Sequence, residues 1–306
     1  MTQVPPWISA EIEPRLDWRA MAESLAEGHR GPAPALGDLF LGRDPDTLLT
    51  RAAWIDGQGA AVKAVTVLPG NPARGRPSVQ GALILFDEAT GAVEALIDSA
   101  LVTRWKTAAD SLLGARLLAR PESRRLLILG AGSVAASLVE AYRAGFPGLE
   151  VAIWSRSPAA ARALADRLGA TAVPDLPEAA AGADIVATAT MATEPILKGD
   201  WLRPGQHLDL IGAYRPDMRE ADDACLTRSR IFVDSYETTL PHIGELKDPL
   251  ARGVISRADV LGDLRALVAG AAGRETPEEI TLFKNGGGAH LDLMTGRAIL
   301  AAWRAS

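Results

Sequence analysis

Apolar and polar positions along this chain fall into three textures. In residues 1–110, helical and strand-like patterns are mixed. A helix is predicted at 18–28, then a Pro/Gly-rich passage at 31–34, then strands at 60–68 (AAVKAVTVL) and 81–86 (GALILF). Turn residues at 87–91 (DEATG) close a hairpin into a further strand at 92–97. From 111 to 270 the rhythm changes to short apolar runs separated by helical stretches: 126–129 (LLIL), 151–154 (VAIW), 184–190 (DIVATAT), 207–212 (HLDLIG) and 230–234 (RIFVD). Near-continuous apolar strands alternating with helices predict a parallel sheet covered on both faces. The last stretch opens with Thr276-Pro277-Glu278-Glu279, which predicts a helix start with Thr as cap, Pro in the first turn and an acid behind it. A glycine turn at 285–288 (NGGG) then leads into an Ala/Leu helix ending at Trp303. The expected class is α/β. Residues 111–274 form the doubly wound parallel sheet, and residues 1–110, with 275–306 folding back onto them, form an α+β domain.

Composition narrows the function classes. A chain of 306 residues with 48% hydrophobic and 23% charged residues has a globular balance and the length of about two domains. The net charge of −6 argues against a nucleic-acid binder, which needs a basic face. With Cys225 as the single cysteine, neither an internal disulfide framework nor a cysteine-rich metal site is expected. No apolar stretch approaches the roughly 20 residues that cross a bilayer. Residues 1–18 carry acids and prolines where a signal peptide has a basic start and an apolar core, so a cytoplasmic protein is expected.

The strongest chemical signal is Gly130-Ala131-Gly132-Ser133-Val134-Ala135, a G-x-G-x-x-A that follows an apolar run and opens an apolar helix. Gly130 permits a tight turn, Gly132 lets the backbone approach a pyrophosphate, and Ala135 packs helix on strand. The helix start at Ser133 and Val134 offers N–H groups to the phosphates. A central Rossmann-type domain binding a dinucleotide is therefore expected. An NAD site would place an acid at the end of the second strand, where this chain has Ser155-Arg156-Ser157. A carboxylate would repel a 2′-phosphate, whereas Arg156 holds one and the two serines donate to it. NADP(H) is expected, with NAD(H) the weaker alternative. Thr188, Thr190 and Met191 after the fourth strand-like stretch, and Gly212 and Tyr214 after the fifth, are expected to line the nicotinamide half.

Three cations interrupt apolar patterns. With period two, Lys63 shares a face with Ala61, Val65 and Val67. Taken alone, it fits an edge-strand lysine whose head reaches water. Arg51 lies in a similar setting, and Lys106 sits in a long Ala/Leu helix. Cations that converge hold a carboxylate or phosphate.

Together these stretches resemble the ornithine cyclodeaminase/mu-crystallin family. The resemblance rests on residues 62–71 (VKAVTVLPGN), 85–91 (LFDEATG), 101–109 (LVTRWKTAA), the Gly130 loop and 280–289 (ITLFKNGGGA). It implies that the domain built from both chain ends binds substrate and forms a homodimer. It implies that Arg51, Lys63 and Lys106 contact substrate, that Lys106 and Thr107 also contact cofactor, and that Asp292 lies near the cofactor. The family's usual residue at 106 is Arg, in a Thr-x-x-Arg-Thr pattern, and lysine keeps the charge without the planar fork. Cyclodeaminases carry an acid/base Asp where this chain has Tyr214, which has no carboxylate to offer. The continuation Arg215-Pro216-Asp217-Met218-Arg219-Glu220 is similar to the ketimine reductase branch. The resemblance thus implies NADPH-dependent reduction of a small cyclic imino acid. Δ1-Pyrroline-2-carboxylate would give L-proline, and Δ1-piperideine-2-carboxylate would give L-pipecolate. Lys63 and Glu237 are the candidates for managing the proton, and Tyr214 is also expected at the substrate. A cyclodeaminase-type lyase and a non-catalytic ligand-binding protein are the alternatives. No metal site is expected.

Overall fold

The computed structural model describes residues 4–305 and divides into two compact units, Met1–Lys106 with Gly288–Ser306, and Thr107–Gly287. In chain order the first unit contains β1 (Trp7–Ile8), α1 (Trp18–Arg30), β2 (Ala35–Arg43), β3 (Asp46–Ile55), β4 (Gly59–Val67), β5 (Val79–Phe86) and β6 (Val93–Asp98). They form one sheet in the order β1-β6-β5-β4-β3-β2, antiparallel except for the β1–β6 pair. The expected hairpin between β5 and β6 is closed by Asp87, whose carboxylate accepts from the Thr90 N–H and hydroxyl, and by Gly91 at φ +67°. Alternation sorts the faces. Ala53, Ile55, Ala61, Val65, Leu83, Leu85, Ala95 and Ile97 are buried, while Phe40, Trp54 and Val79 are exposed.

The chain leaves this unit within α2 (Ser99–Leu118). The second unit continues through β7 (Arg125–Leu129), α3 (Ser133–Gly145), β8 (Glu150–Trp154), α4 (Pro158–Leu168), β9 (Thr171–Ala172), α5 (Leu176–Gly182), β10 (Ile185–Thr188), β11 (His207–Leu210), α6 (Asp223–Thr227), β12 (Ser229–Val233), α7 (Tyr236–Thr239), α8 (Gly244–Ala251), β13 (Val260–Asp263), α9 (Leu264–Val268) and β14 (Ile280–Lys284). Its eight strands pair in parallel in the order β13-β12-β14-β11-β10-β7-β8-β9. After β7 the chain moves outward through β8 and β9, then returns to place β10 on the other side of β7. That reversal is the topological switch point at which open α/β sheets bind ligands. The α/β class and the doubly wound sheet are as the apolar runs indicate.

Two expectations about the last stretch need correction. Thr276 to Glu279 form a turn and not a helix start. The run that follows, Ile280-Thr281-Leu282-Phe283-Lys284, is buried at every position between β11 and β12, and a fully buried segment with β-branched and aromatic residues gains more from the sheet ladder than from a capped helix. Consequently residues 275–306 do not fold back as one piece. Up to Gly287 they are part of the parallel sheet's unit, and only from Gly288 do they belong with the first.

In the first unit, α10 (Ala289–Arg304) packs against α1 and across β3, β4 and β5. Gly28 of α1 makes room for this, because a Cβ there would lie 2.5 Å from Met294 Sδ. Arg297 fixes the helix to the sheet by donating to the Gln58 and Phe86 carbonyls and the Glu94 carboxylate. Among the described residues, no helix is long and apolar enough to cross a membrane.

Candidate active site

In the first unit, strand register brings the charges together. Asp38 on β2 stands opposite Arg51 on β3, and Arg51 stands opposite Lys63 on β4, so all three lie in one row across the sheet. Lys63 is 6% exposed and shares its buried face with Ala61 and Val65, so it is not an edge lysine reaching for water. Its Nζ donates to Asp292 Oδ1 of α10 at 2.7 Å, and Lys106 Nζ lies 3.1 Å from the same oxygen. Arg51 Nε donates to Asp38 at 3.0 Å. Three cations against two carboxylates leave one positive charge in excess, which suits an anionic ligand.

Burial sets the proton affinities here. Desolvation lowers the Lys106 ammonium to about 8 despite the neighbouring Asp292, with Lys63 and Arg51 adding repulsion. Burial works to raise the Asp292 carboxyl, but the ammonium groups of Lys106 and Lys63 outweigh it and hold it at about 2. His290, two residues before Asp292, is lowered to about 3 by burial, and its ring meets His29 edge-on at 5.5 Å. It is therefore a neutral packing residue. Asp292, expected beside the cofactor, is 1% exposed and serves as the counter-ion of the two lysines.

The second unit carries the glycine loop. Gly130 follows β7 at φ +125°, and a Cβ there would lie 2.5 Å from the Ala189 carbonyl oxygen, so only glycine fits. At Gly132 an added Cβ would meet no atom of the described residues within 4 Å, so the backbone there borders open space. Gly132 and Ser133 are exposed, and Ala135 is buried against the sheet. No side chain caps α3, whereas Ser157, Asp175, Asp222 and Asp263 cap α4, α5, α6 and α9. An uncapped helix start behind a glycine cradle at the switch point fits a pyrophosphate. Ser133 and Val134 carry the first N–H groups of that helix.

Ser155, Arg156 and Ser157 follow the end of β8, with Arg156 and Ser157 exposed. The Ser157 hydroxyl accepts from the Ala160 N–H as cap of α4, and Ser155 accepts from the Ser157 N–H. Thr188 and Thr190 stand at the end of β10, with Met191 60% exposed beyond them; Gly212 and the 55% exposed Tyr214 follow β11. The Thr107 carbonyl accepts from Asn285 Nδ2. Glu237 is exposed in the first turn of α7, with no hydrogen bond or ion pair that singles it out among the described residues.

Sequence reasoning missed the buried acids behind these loops. The Glu220 carboxylate accepts five hydrogen bonds, from Thr188, Thr190 and the backbone at 212–213. Asp234 accepts from the Gly286 and Gly287 N–H groups and so fixes the glycine turn. The available signal was an acid within an otherwise apolar local pattern, as in Val233-Asp234. No group of three or more His, Cys, Asp or Glu among the described residues could hold a metal ion.

The family model for ornithine cyclodeaminase/mu-crystallin matches residues 52–306. A Δ1-pyrroline-2-carboxylate reductase from Paracoccus denitrificans is 56% identical over 287 residues, covering 92% of this chain and 91% of that protein. The ketimine reductase mu-crystallin of Mus musculus is 36% identical, over 79% of this chain and 75% of its own. The Thermococcus litoralis Δ1-pyrroline-2-carboxylate reductase, solved with NADH and L-proline, superposes with a TM-score of 0.88. It is 29% identical, over 98% of this chain and 97% of that one. With its glycine cradle, its cation row and these likenesses over most of its length, the chain belongs to the ornithine cyclodeaminase/mu-crystallin family.

Proposed function

We propose that this protein is a nicotinamide-dependent oxidoreductase that reduces the C=N bond of a small cyclic ketimine. The preferred substrate is Δ1-pyrroline-2-carboxylate, giving L-proline, and Δ1-piperideine-2-carboxylate is a second substrate, giving L-pipecolate. The observation that carries this reading is the cluster in which Lys63 and Lys106 meet buried Asp292 while Arg51, beside Lys63 in the sheet, pairs with Asp38, a site with surplus positive charge for a carboxylate. When bound, the reduced nicotinamide supplies a hydride to the imine carbon. The chain's own groups supply the rest. Arg51 and Lys63 take the carboxylate and fix the ring, since alignment accounts for much of the rate in such transfers. Lys106, buried beside them, adds charge that Asp292 balances. The imine reacts as its protonated form, with Lys63 holding that proton and exposed Glu237 the second candidate. Tyr214 adds a contact beyond β11 and offers no carboxylate, which disfavours the lyase reading.

Gly130, Gly132, Ser133 and Val134 hold the pyrophosphate, and Thr107, Thr188, Thr190, Met191, Gly212 and Tyr214 lie toward the nicotinamide. Ser155, Arg156 and Ser157 favour NADP(H) over NAD(H), because a cation and two hydroxyls stand where an acid would select the free ribose. The working form is a homodimer. Leu39, Phe40 and Leu41 on edge strand β2 are 52%, 65% and 53% exposed, an apolar edge that a second copy would cover. Replacing Lys63 by Ala tests the assignment. Reductase kcat/KM is expected to fall at least ~100-fold while cofactor Kd stays within about twofold. Unchanged turnover removes Lys63 from the mechanism.

A further inference from the structure

The acids behind the strand-end loops have no place in the chemistry above, yet they are among the best-connected side chains in the second unit. Glu220 lies on the segment between β11 and α6 and is fully buried. Oxygen Oε1 accepts from the Thr190 N–H at 2.6 Å and the Thr190 hydroxyl at 2.7 Å. Oxygen Oε2 accepts from the Thr188 hydroxyl at 2.7 Å, the Gly212 N–H at 2.6 Å and the Ala213 N–H at 3.2 Å. One carboxylate thus ties the ends of two adjacent parallel strands, β10 and β11, to each other. Gly212 belongs to the same device, since a Cβ there would lie 2.1 Å from the Thr190 carbonyl oxygen and 2.5 Å from Glu220 Oε1. Behind Glu220 is a second carboxylate, Glu245 of α8, which accepts from the Glu220 N–H at 2.7 Å and the Ala221 N–H at 3.0 Å.

We infer that Glu220 is a positioning residue that shapes the nicotinamide half of the cofactor site, with Glu245 fixing Glu220 in turn. The inference rests on the dinucleotide reading of the glycine loop. That loop follows β7 and takes the pyrophosphate, so the ends of β10 and β11, next along the sheet, take the part of the dinucleotide beyond it. Loops held by a buried acceptor are preorganised, and the affinity gained this way is specific to the portion of ligand they touch. The glycine loop itself is made by Gly130, Gly132 and the start of α3, and Glu220 bonds to none of them.

The test separates the two halves of the cofactor. Glu220→Gln keeps the shape but supplies only one accepting oxygen, so its NH2 must face either the Thr190 N–H or the N–H groups at 212–213. One strand end is released whichever way the amide turns. Calorimetric Kd values are measured for NADPH and 2′-phospho-ADP-ribose, and for NADH and ADP-ribose, the second of each pair lacking only the nicotinamide. The variant is expected to bind the full dinucleotide about tenfold to a hundredfold more weakly, and the truncated ligand within about twofold of wild type. Glu245→Gln, which leaves Glu220 itself in place, is expected to give the same selective loss in smaller degree, and it carries the test if Glu220→Gln does not fold. Equal loss for both ligands, or no loss for either, overturns the inference. Wild-type protein that binds neither pair overturns the dinucleotide reading, and the inference falls with it.

Discussion

Asp292→Asn probes the charge cluster most sharply. Its carboxylate is fully buried, and Oδ1 alone meets both lysines, at 2.7 and 3.1 Å. Oδ2 has no hydrogen-bond partner among the described residues, so the amide keeps one acceptor for the lysines and removes the charge without breaking a second bond. With an effective dielectric of about 20, the two contacts amount to ~6 and ~5 kcal/mol of bare attraction. Most of that offsets the water each group has lost, and removing one partner of a buried pair typically costs ~3–5 kcal/mol. The unfolding free energy at pH 7 is expected to fall by about that amount. The pH dependence supplies a second check. Asp292 is held down at about 2, so its contribution is present above the unfolded value and disappears as pH falls through 2. Lys106 is lowered to about 8 by burial, so between 8 and its unfolded value the folded protein sheds this proton first; that relieves the cost of burying the ammonium and at the same time removes its attraction to Asp292, so the difference between variant and wild type narrows as pH rises through 8. The stability difference between variant and wild type should therefore be largest between these limits and shrink on both sides. Urea unfolding followed by tryptophan fluorescence at pH 3, 7 and 9.5 measures it. A difference within ~0.5 kcal/mol of zero at pH 7, or one that does not change with pH, would refute this view of the cluster.

Other perturbations reach separate parts of the account. Gly130→Ala puts a side chain at φ +125° against the Ala189 carbonyl, and calorimetry should find cofactor affinity reduced by at least ~30-fold with the Lys63 cluster unaffected. Arg156→Ala should lower the preference for NADPH over NADH by about 10- to 150-fold, the value of one charged hydrogen bond, as read from the ratio of the two kcat/KM values. Phe40→Glu places a charge on the apolar β2 edge; light scattering should show the proposed dimer for the wild type and a monomer for the variant, and an unchanged mass would move the interface elsewhere.

How much was legible beforehand follows from the range of each interaction. The glycine loop and the strands that surround it are local patterns, so residues 126–135 declare strand, turn and helix together. The buried face of β4 also follows from period two, which places Lys63 with Ala61 and Val65. Its partner is not legible, because Asp292 lies 229 residues away and reaches Lys63 only when α10 packs on the sheet. Glu220 is hidden for a similar reason. Its neighbours Arg219 and Asp222 make the segment look like an exposed polar loop, and only the pairing of β10 with β11 gives its carboxylate five donors. The Thr276-Pro277 cap signal misled because it is local, while burial between β11 and β12 decides what Ile280 to Lys284 become.

The central claim, reduction of a cyclic ketimine at the expense of a nicotinamide, is tested most directly by absorbance decay of NADPH at neutral pH with Δ1-pyrroline-2-carboxylate, repeated with NADH and with L-ornithine. Stoichiometric oxidation of NADPH with formation of L-proline, slower with NADH and absent with ornithine, is the predicted result. No imine-dependent oxidation of either cofactor, with proline and ammonia released from ornithine instead, would contradict it and identify a lyase that works with Tyr214 in place of an acid.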